Sequence, residues 1–263
     1  MGIALSDLIS SSANPNLARV RGLLTRKDRR VAEQAYVVEG RRAVEDALAA
    51  GIRPELVLVR SGNETLVPEE MPRRVPVRSV LAKCFNALSE VTHPQGILAV
   101  VPMTRREIDP TATLLVLVLD RVRDPGNMGT LLRAAAAAGA TAVVLTPESV
   151  DPFNPKVVRA AMGAHQRIPI RELPDPEAIE LLRGAKIVAT TRADANVDYD
   201  AVDWRVPAAI VVGSEAEGVS EEMSALATTA IAIPMLAGVE SLNAASAGAV
   251  VLFEAARQRR IGG

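Results

Sequence analysis

The stretch Thr113 to Leu119 (TLLVLVL) has threonine as its sole polar residue and runs straight into Asp-Arg-Val-Arg-Asp-Pro-Gly-Asn and an almost uncharged, alanine-rich segment. A half-exposed strand alternates polar and apolar residues, so an unbroken apolar run requires burial on both faces. A buried strand followed by a Pro-Gly turn and a helix start is the repeating step of an α/β sheet, whose ligands bind beyond the carboxyl ends of the strands. The same step recurs downstream. The helix carrying Arg133 is followed by strand ATAVVLT, helix PKVVRAAMGAH, strand RIPI, helix PEAIELLRG and strand KIVATT. After an acidic loop come strand AAIVVG, a short helix after Ser220, strand TAIAIP and a final helix from about Asn243. This alternation predicts an α/β fold with a mostly parallel sheet covered on both faces.

The first hundred residues form a separate pattern. NPNLARVRGLLTRKDRRVAEQ reads as one helix capped by Asn14 or Asn16, with Leu17, Val20, Leu23 and Leu24 as its apolar stripe. Strand-like AYVVEG, helix RRAVEDALAAG, strand ELVLVR, strand-like VPVRSV, helix LAKCFNALS and strand GILAVV follow, giving a small α/β/α unit. Residues 101–110 (VPMTRREIDP), with two prolines and mixed charge, read as a linker. The expected division is therefore a domain at 1–105 and a second at 111–263.

The net charge of −1 conceals an asymmetry, because residues 1–110 carry 16 Lys and Arg against 13 acids whereas the remainder carries 14 against 18. Arg19, Arg21, Arg26, Lys27, Arg29 and Arg30 crowd one short segment, with Arg41 and Arg42 soon after. Such a cluster suits phosphate contacts. Cys84 is the lone cysteine, and His93 and His165 are far from it in sequence, so no zinc spacing and no Cys-His pair is present and no metal is expected. The opening MGIALSDLISSS lacks a basic stretch before a long apolar core, and no segment holds about 18 uncharged apolar residues, so a soluble cytoplasmic protein is expected, without membrane contact.

Three loops at strand ends hold the candidate chemistry. In DRVRDPGNMGTLLRAA, Arg133 is the only charge between Asp124 and Glu148. Asn127 and Arg133 are six residues apart and so do not share a helix face. Alone, the stretch reads equally as a helix cap and a solvated arginine. In IVVGSEAEGVS a strand ends at Gly213, where a glycine admits a flat ligand against the backbone, and Glu215 and Glu217 follow. In IPMLAGVESLNAASAGAVVLFEA, Ser241 and Asn243 precede a helix start rich in Ala and Gly, suited to close packing. No GxGxxG follows the first strand, and GxxxxGK[ST] and GxSxG do not occur, so the common dinucleotide, P-loop and hydrolase readings lack their residues.

In order and spacing, these loops resemble motifs 1, 2 and 3 of the SpoU-type RNA 2′-O-ribose methyltransferases of the SPOUT superfamily. The basic start and VVEG resemble that family's substrate-binding domain, similar in fold to ribosomal protein L30e. The resemblance implies a trefoil-knotted catalytic domain, S-adenosylmethionine as cofactor and a homodimer with its active site near the interface. It implies Asn127 and Arg133 as motif 1 residues, Glu215 as the motif 2 carboxylate and Ser241 with Asn243 as the motif 3 pair. Cofactor contacts would come from Thr190, Thr191, Gly213, Ile233 and Leu242, and Arg159 would face substrate phosphate. The implied substrate is a ribose 2′-hydroxyl in structured RNA, 23S rRNA in preference to tRNA, and DNA, which lacks that group, is excluded. A tRNA enzyme and a methylase conferring antibiotic resistance share this architecture. A non-catalytic RNA-binding relative would have lost Asn127, Arg133, Glu215, Ser241 or Asn243, and all five are present.

Overall fold

The computed structural model describes residues 6–88, 94–109, 111–190, 197–236 and 241–261. Its contacts divide the chain into two units, Met1–Thr104 with Phe153–Gln166, and Arg105–Pro152 with Arg167–Gly263.

The first unit contains β1 (Ser6–Ile9), α1 (Pro15–Thr25), α2 (Lys27–Glu33), β2 (Ala35–Glu39), α3 (Arg41–Ala49), β3 (Leu56–Arg60), β4 (Val77–Val80), α4 (Ala82–Asn86) and β5 (Ile97–Pro102). Its five-stranded sheet has the order β1-β4-β3-β5-β2, with β2 and β3 antiparallel to β5. Alternate side chains of β2 reach opposite cores: Val37 joins Leu17, Val20, Leu23 and Phe85, whereas Tyr36 and Val38 join Val44 and Ala47. The expected apolar stripe of α1 is thus buried. The expected single helix is not formed. Arg26 is extended (φ −128, ψ 118) and separates α1 from α2, and the Arg30 guanidinium turns back to donate to the Leu23 carbonyl at 2.6 Å. That bond closes a carbonyl left open where α1 ends.

The second unit contains β6 (Leu115–Asp120), α5 (Pro125–Ala138) and β7 (Ala142–Leu145). The chain then contributes α6 (Pro155–Ala161) to the first unit by its contacts. The reason is apolar: Val158 belongs to the core of Tyr36 and Val38, and the Phe153 ring lies 5.0 Å from that of Tyr36. β8 (Ile170–Glu172), α7 (Pro176–Arg183), β9 (Lys186–Thr190), β10 (Val197–Asp198), β11 (Ala208–Gly213), α8 (Glu221–Leu226), β12 (Thr229–Ala232) and α9 (Ala244–Ile261) complete the second unit. Its seven-stranded sheet runs β10-β12-β9-β11-β6-β7-β8, and these strands pair in parallel throughout the described residues.

Every residue of β6 and β11 is buried, as an unbroken apolar strand in the middle of a covered sheet must be. α7 and α8 cover one face through Ala178, Leu181, Leu182 and Met223. α9 packs on α5 and on β11. At Gly248 the approach is so close that a Cβ would lie 2.5 Å from Leu131 Cδ2 and 3.1 Å from Val212 Cγ2, so the small residues of α9 have the packing role expected of them. The far end of α9 is fixed by Arg259, which donates to the carbonyls of Thr113, Leu114, Trp204 and Val206 at 2.7–2.9 Å. No helix among the described residues is long and apolar enough to cross a membrane.

Candidate active site

Because the sheet is parallel, the carboxyl ends of β6, β9, β11 and β12 lie along one edge. From β6 the chain proceeds outward through β7 and β8, whereas β11 and β9 lie on its other side, so the order reverses between β6 and β11. A crevice opens where two neighbouring strands send their following loops in opposite directions.

The loop after β6 leads into α5. Asp124, not Asn127, caps that helix, its Oδ1 accepting from the Asn127 backbone N–H at 2.7 Å. Asn127 therefore lies within the first turn, and its side chain is free of capping. Its Nδ2 donates to Glu215 Oε1 in the loop after β11. Its Oδ1 accepts from Asn243 Nδ2 at 2.9 Å. Asn243 Oδ1 in turn caps α9, accepting from the N–H groups of Ala245 at 2.9 Å and Ser246 at 3.2 Å. One chain of side-chain hydrogen bonds thus joins all three loops singled out in the sequence.

The loop after β11 is a tight return. Ser214 and Gly218 exchange backbone hydrogen bonds at 3.0 and 2.9 Å, and Gly218 has φ +72, which glycine adopts without steric cost. A Cβ on Gly213 would fall 2.2 Å from the Gly218 carbonyl carbon. Gly213 is required by the returning backbone, a reason for glycine additional to the expected approach of a flat ligand. Asp120, absent from the expected site, anchors the region: at 1% exposure it accepts from the Thr146 hydroxyl at 2.9 Å and the Ser220 N–H at 2.6 Å. Its signal in the sequence was a charge ending a wholly apolar strand.

A cleft of about 950 Å³ opens beside this chain of bonds, lined by Thr190, Gly213, Ile233 and Leu242 together with Glu215, Ser241 and Asn243. Four of the five expected cofactor residues therefore share one cavity; Thr191 lies outside the described residues. The Thr190 hydroxyl donates to the Val211 carbonyl at 3.0 Å, which leaves its lone pairs open to a ligand. Val212, Ile231 and Val251 add apolar wall.

Arg133 is not joined to the chain of side-chain bonds. It is exposed on α5 and makes no hydrogen bond or ion pair with the described residues, as expected of a charge directed outward. Since Asn127 lies inside the regular helix, the two remain on different faces.

In the first unit the candidate RNA contacts separate into types. Arg30 is 3% exposed and structural. Arg19 is held by Glu33 and Glu55, and Arg26 by Asp28. Arg21, Lys27 and Arg29 are exposed, and Arg159 is half-buried in the last turn of α6.

Residues 114–253 match the SpoU rRNA Methylase family. The chain belongs to this SpoU family. Residues 14–99 match the MRM3-like substrate binding domain, so the first unit of this SpoU chain corresponds to a known accessory module. Among its relatives is the 23S rRNA (guanosine(2553)-2′-O)-methyltransferase RlmP of Bacillus subtilis, 32% identical over 93% of this chain and 97% of that one. Another is an uncharacterized tRNA/rRNA methyltransferase of Synechocystis, 34% identical over 95% of this chain and 94% of that one. The AdoMet-bound rRNA methyltransferase of Sinorhizobium meliloti has a similar structure, with a TM-score of 0.82, 32% identity, and coverage of 95% of this chain and 97% of that one. The SpoU fold and both of its parts therefore extend over nearly the whole chain.

Proposed function

We propose that this chain methylates a ribose 2′-hydroxyl of ribosomal RNA, using S-adenosylmethionine. The observation that carries the reading is the Glu215–Asn127–Asn243 chain of side chains at the rim of a cleft large enough for a nucleoside-sized ligand. The match to the MRM3-like substrate binding domain, together with the 23S rRNA specificity named for the Bacillus subtilis relative, supports ribosomal over transfer RNA. In a bacterial cell, that substrate puts the protein in the cytoplasm.

The residues lining the cleft fit the cofactor. Met235 and Leu242 offer exposed apolar surface to an adenine ring, and the strand ends offer backbone donors and acceptors. Thr190, Gly213, Ile233 and Leu242 would hold the cofactor. When bound, S-adenosylmethionine supplies a methyl group activated by a neighbouring sulfonium. The protein's task is then to align a hydroxyl and to manage its proton.

Glu215 fixes the Asn127 amide, Asn127 orients Asn243, and Ser241 stands exposed at the same rim as a donor or acceptor for the ribose. A guanidinium offers five N–H donors and no acceptor, so Arg133 serves as a donor to the 2′-oxygen as negative charge develops, or to an adjacent phosphate. Exposed Val250 and Phe253, one turn apart on α9, support a homodimer. The reading includes the family's trefoil knot in the second unit.

The test is transfer of labelled methyl from S-adenosylmethionine to 23S rRNA, followed by mapping of 2′-O-methyl positions. A single new 2′-O-methyl nucleotide is expected. Label on a base, or no label on any ribosomal RNA, overturns the reading. Light scattering of wild type and Phe253→Glu tests the dimer, which the substitution should dissociate.

A further inference from the structure

The turn between β6 and α5 holds two arginines whose arrangement the proposed chemistry does not use. Arg121 has φ +54, a left-handed conformation uncommon for a residue with a Cβ and one that persists where the surroundings enforce it. Its Nη1 lies 3.0 Å from Glu217 Oε2, and Arg123 Nη1 lies 3.3 Å from Glu217 Oε1. Arg123 Nη2 lies 2.7 Å from Glu148 Oε2, and Glu148 is itself left-handed, with φ +67. Its hydrogen bond to Glu148, reinforced by the charge of Glu217, holds the Arg123 guanidinium above its ordinary pKa.

Glu217 therefore offers one oxygen to each of two guanidiniums, as a bridging phosphate group would. The match is incomplete. Arg121 Nε is buried and has no acceptor among the described residues, so one donor of the pair awaits an oxygen that a planar carboxylate does not supply. Glu217 is also easily displaced. Its side chain is 46% exposed, and an ion pair at such exposure is weak, whereas arginine–phosphate contacts are among the stronger hydrogen bonds. Glu217 follows Glu215 by two residues, and both line the cofactor cleft. The cluster thus borders the candidate reaction centre.

We propose that Arg121 and Arg123 form a subsite for an RNA backbone phosphate beside the target ribose, which the Glu217 carboxylate fills until RNA displaces it. This rests on the reading of the chain as an RNA methyltransferase.

The experiment measures binding of end-labelled 23S rRNA fragments across a salt series for wild type, Arg121→Gln, Arg123→Ala and Glu217→Gln, with calorimetric S-adenosylmethionine binding alongside. Arg123→Ala should weaken RNA binding tenfold or more and reduce the salt slope by about 0.7, the amount for one phosphate contact on a single strand, with cofactor affinity within twofold of wild type. Arg121→Gln should act similarly. Glu217→Gln removes the competing charge while keeping the shape, and should tighten RNA binding threefold or more. Arg123 is half exposed, so its variant remains informative if Arg121→Gln does not fold. The proposal requires both the loss in Arg123→Ala and the gain in Glu217→Gln, and failure of either overturns it. None of these readouts depends on methyl transfer. A wild type that transfers no methyl group sinks the activity, whereas an active wild type with unresponsive variants sinks only the subsite.

Discussion

The side-chain amide of Asn243 donates to the Asn127 amide oxygen at 2.9 Å, across 116 residues of sequence, while its own oxygen caps α9. These two roles are separable by substitution. Asn243→Asp keeps a capping oxygen and loses the donor, whereas Asn243→Ala loses both. Thermal unfolding should show a loss of about 1 kcal/mol for the alanine variant and little for the aspartate. Turnover should fall roughly 100-fold or more in both, the cost of losing one aligned donor in a reaction centre. Normal turnover in Asn243→Asp would show that the bond to Asn127 serves only to hold α9.

Arg133 supplies a second test. If it donates only as charge develops on the 2′-oxygen, Arg133→Ala should lower single-turnover methylation roughly 100-fold or more and leave cofactor affinity and melting temperature nearly unchanged. Its exposure and lack of a partner among the described residues make structural damage a poor explanation of such a loss. Arg133→Lys should recover little, because an ammonium cannot reproduce the planar fork. Near-normal turnover in the alanine variant would return Arg133 to an ordinary solvated position.

Two glycines should differ in their response to alanine. At Gly213 the new methyl meets backbone at 2.2 Å, so the return loop carrying Glu215 must move. Cofactor affinity should drop at least tenfold. At Gly248 the methyl meets the end of the Leu131 side chain, which can rotate, and the expected cost is about 1–3 kcal/mol of stability with a smaller effect on binding. Calorimetry and thermal unfolding of both variants would show the contrast, and equal effects would contradict it.

Much of the second unit was legible in the sequence because apolar continuity and strand–helix alternation are local signals. The Leu115–Asp120 and Ala208–Gly213 strands were found in this way. The three motif loops were equally visible, although not the bonds joining Glu215, Asn127 and Asn243, since hydrogen bonds over such separations leave no periodicity. Three features stayed hidden for similar reasons. The Arg26 break has no glycine or proline to announce it, the short β1 and β10 strands fall below any pattern length, and Asp120 looks like the polar end of a strand until its two partners are seen.

Arg30 shows the limit of charge counting and gives a further prediction. It belongs to the basic cluster by sequence but is buried against the Leu23 carbonyl. Arg30→Ala should lower stability by about 2 kcal/mol, as expected for a lost charged hydrogen bond, without altering the salt dependence of RNA binding. Replacing exposed Arg21 or Arg29 should do the reverse, reducing the salt slope by about 0.7–0.9 with the melting temperature held. A changed salt slope in Arg30→Ala would place that side chain on the RNA surface.

The excursion through Phe153–Gln166 bears on how such a protein can be inherited. An accessory module confined to one end of a gene can be gained, lost or exchanged by a single recombination event. Here an exchange limited to residues 1–104 would deliver a sheet whose Tyr36 and Val38 face meets a foreign α6, because Val158 and Phe153 are encoded beyond the first strand and helix of the other unit. An exchange that keeps this packing must therefore carry Phe153 and Val158 with it, and changes on the Tyr36 face should track changes at those two positions.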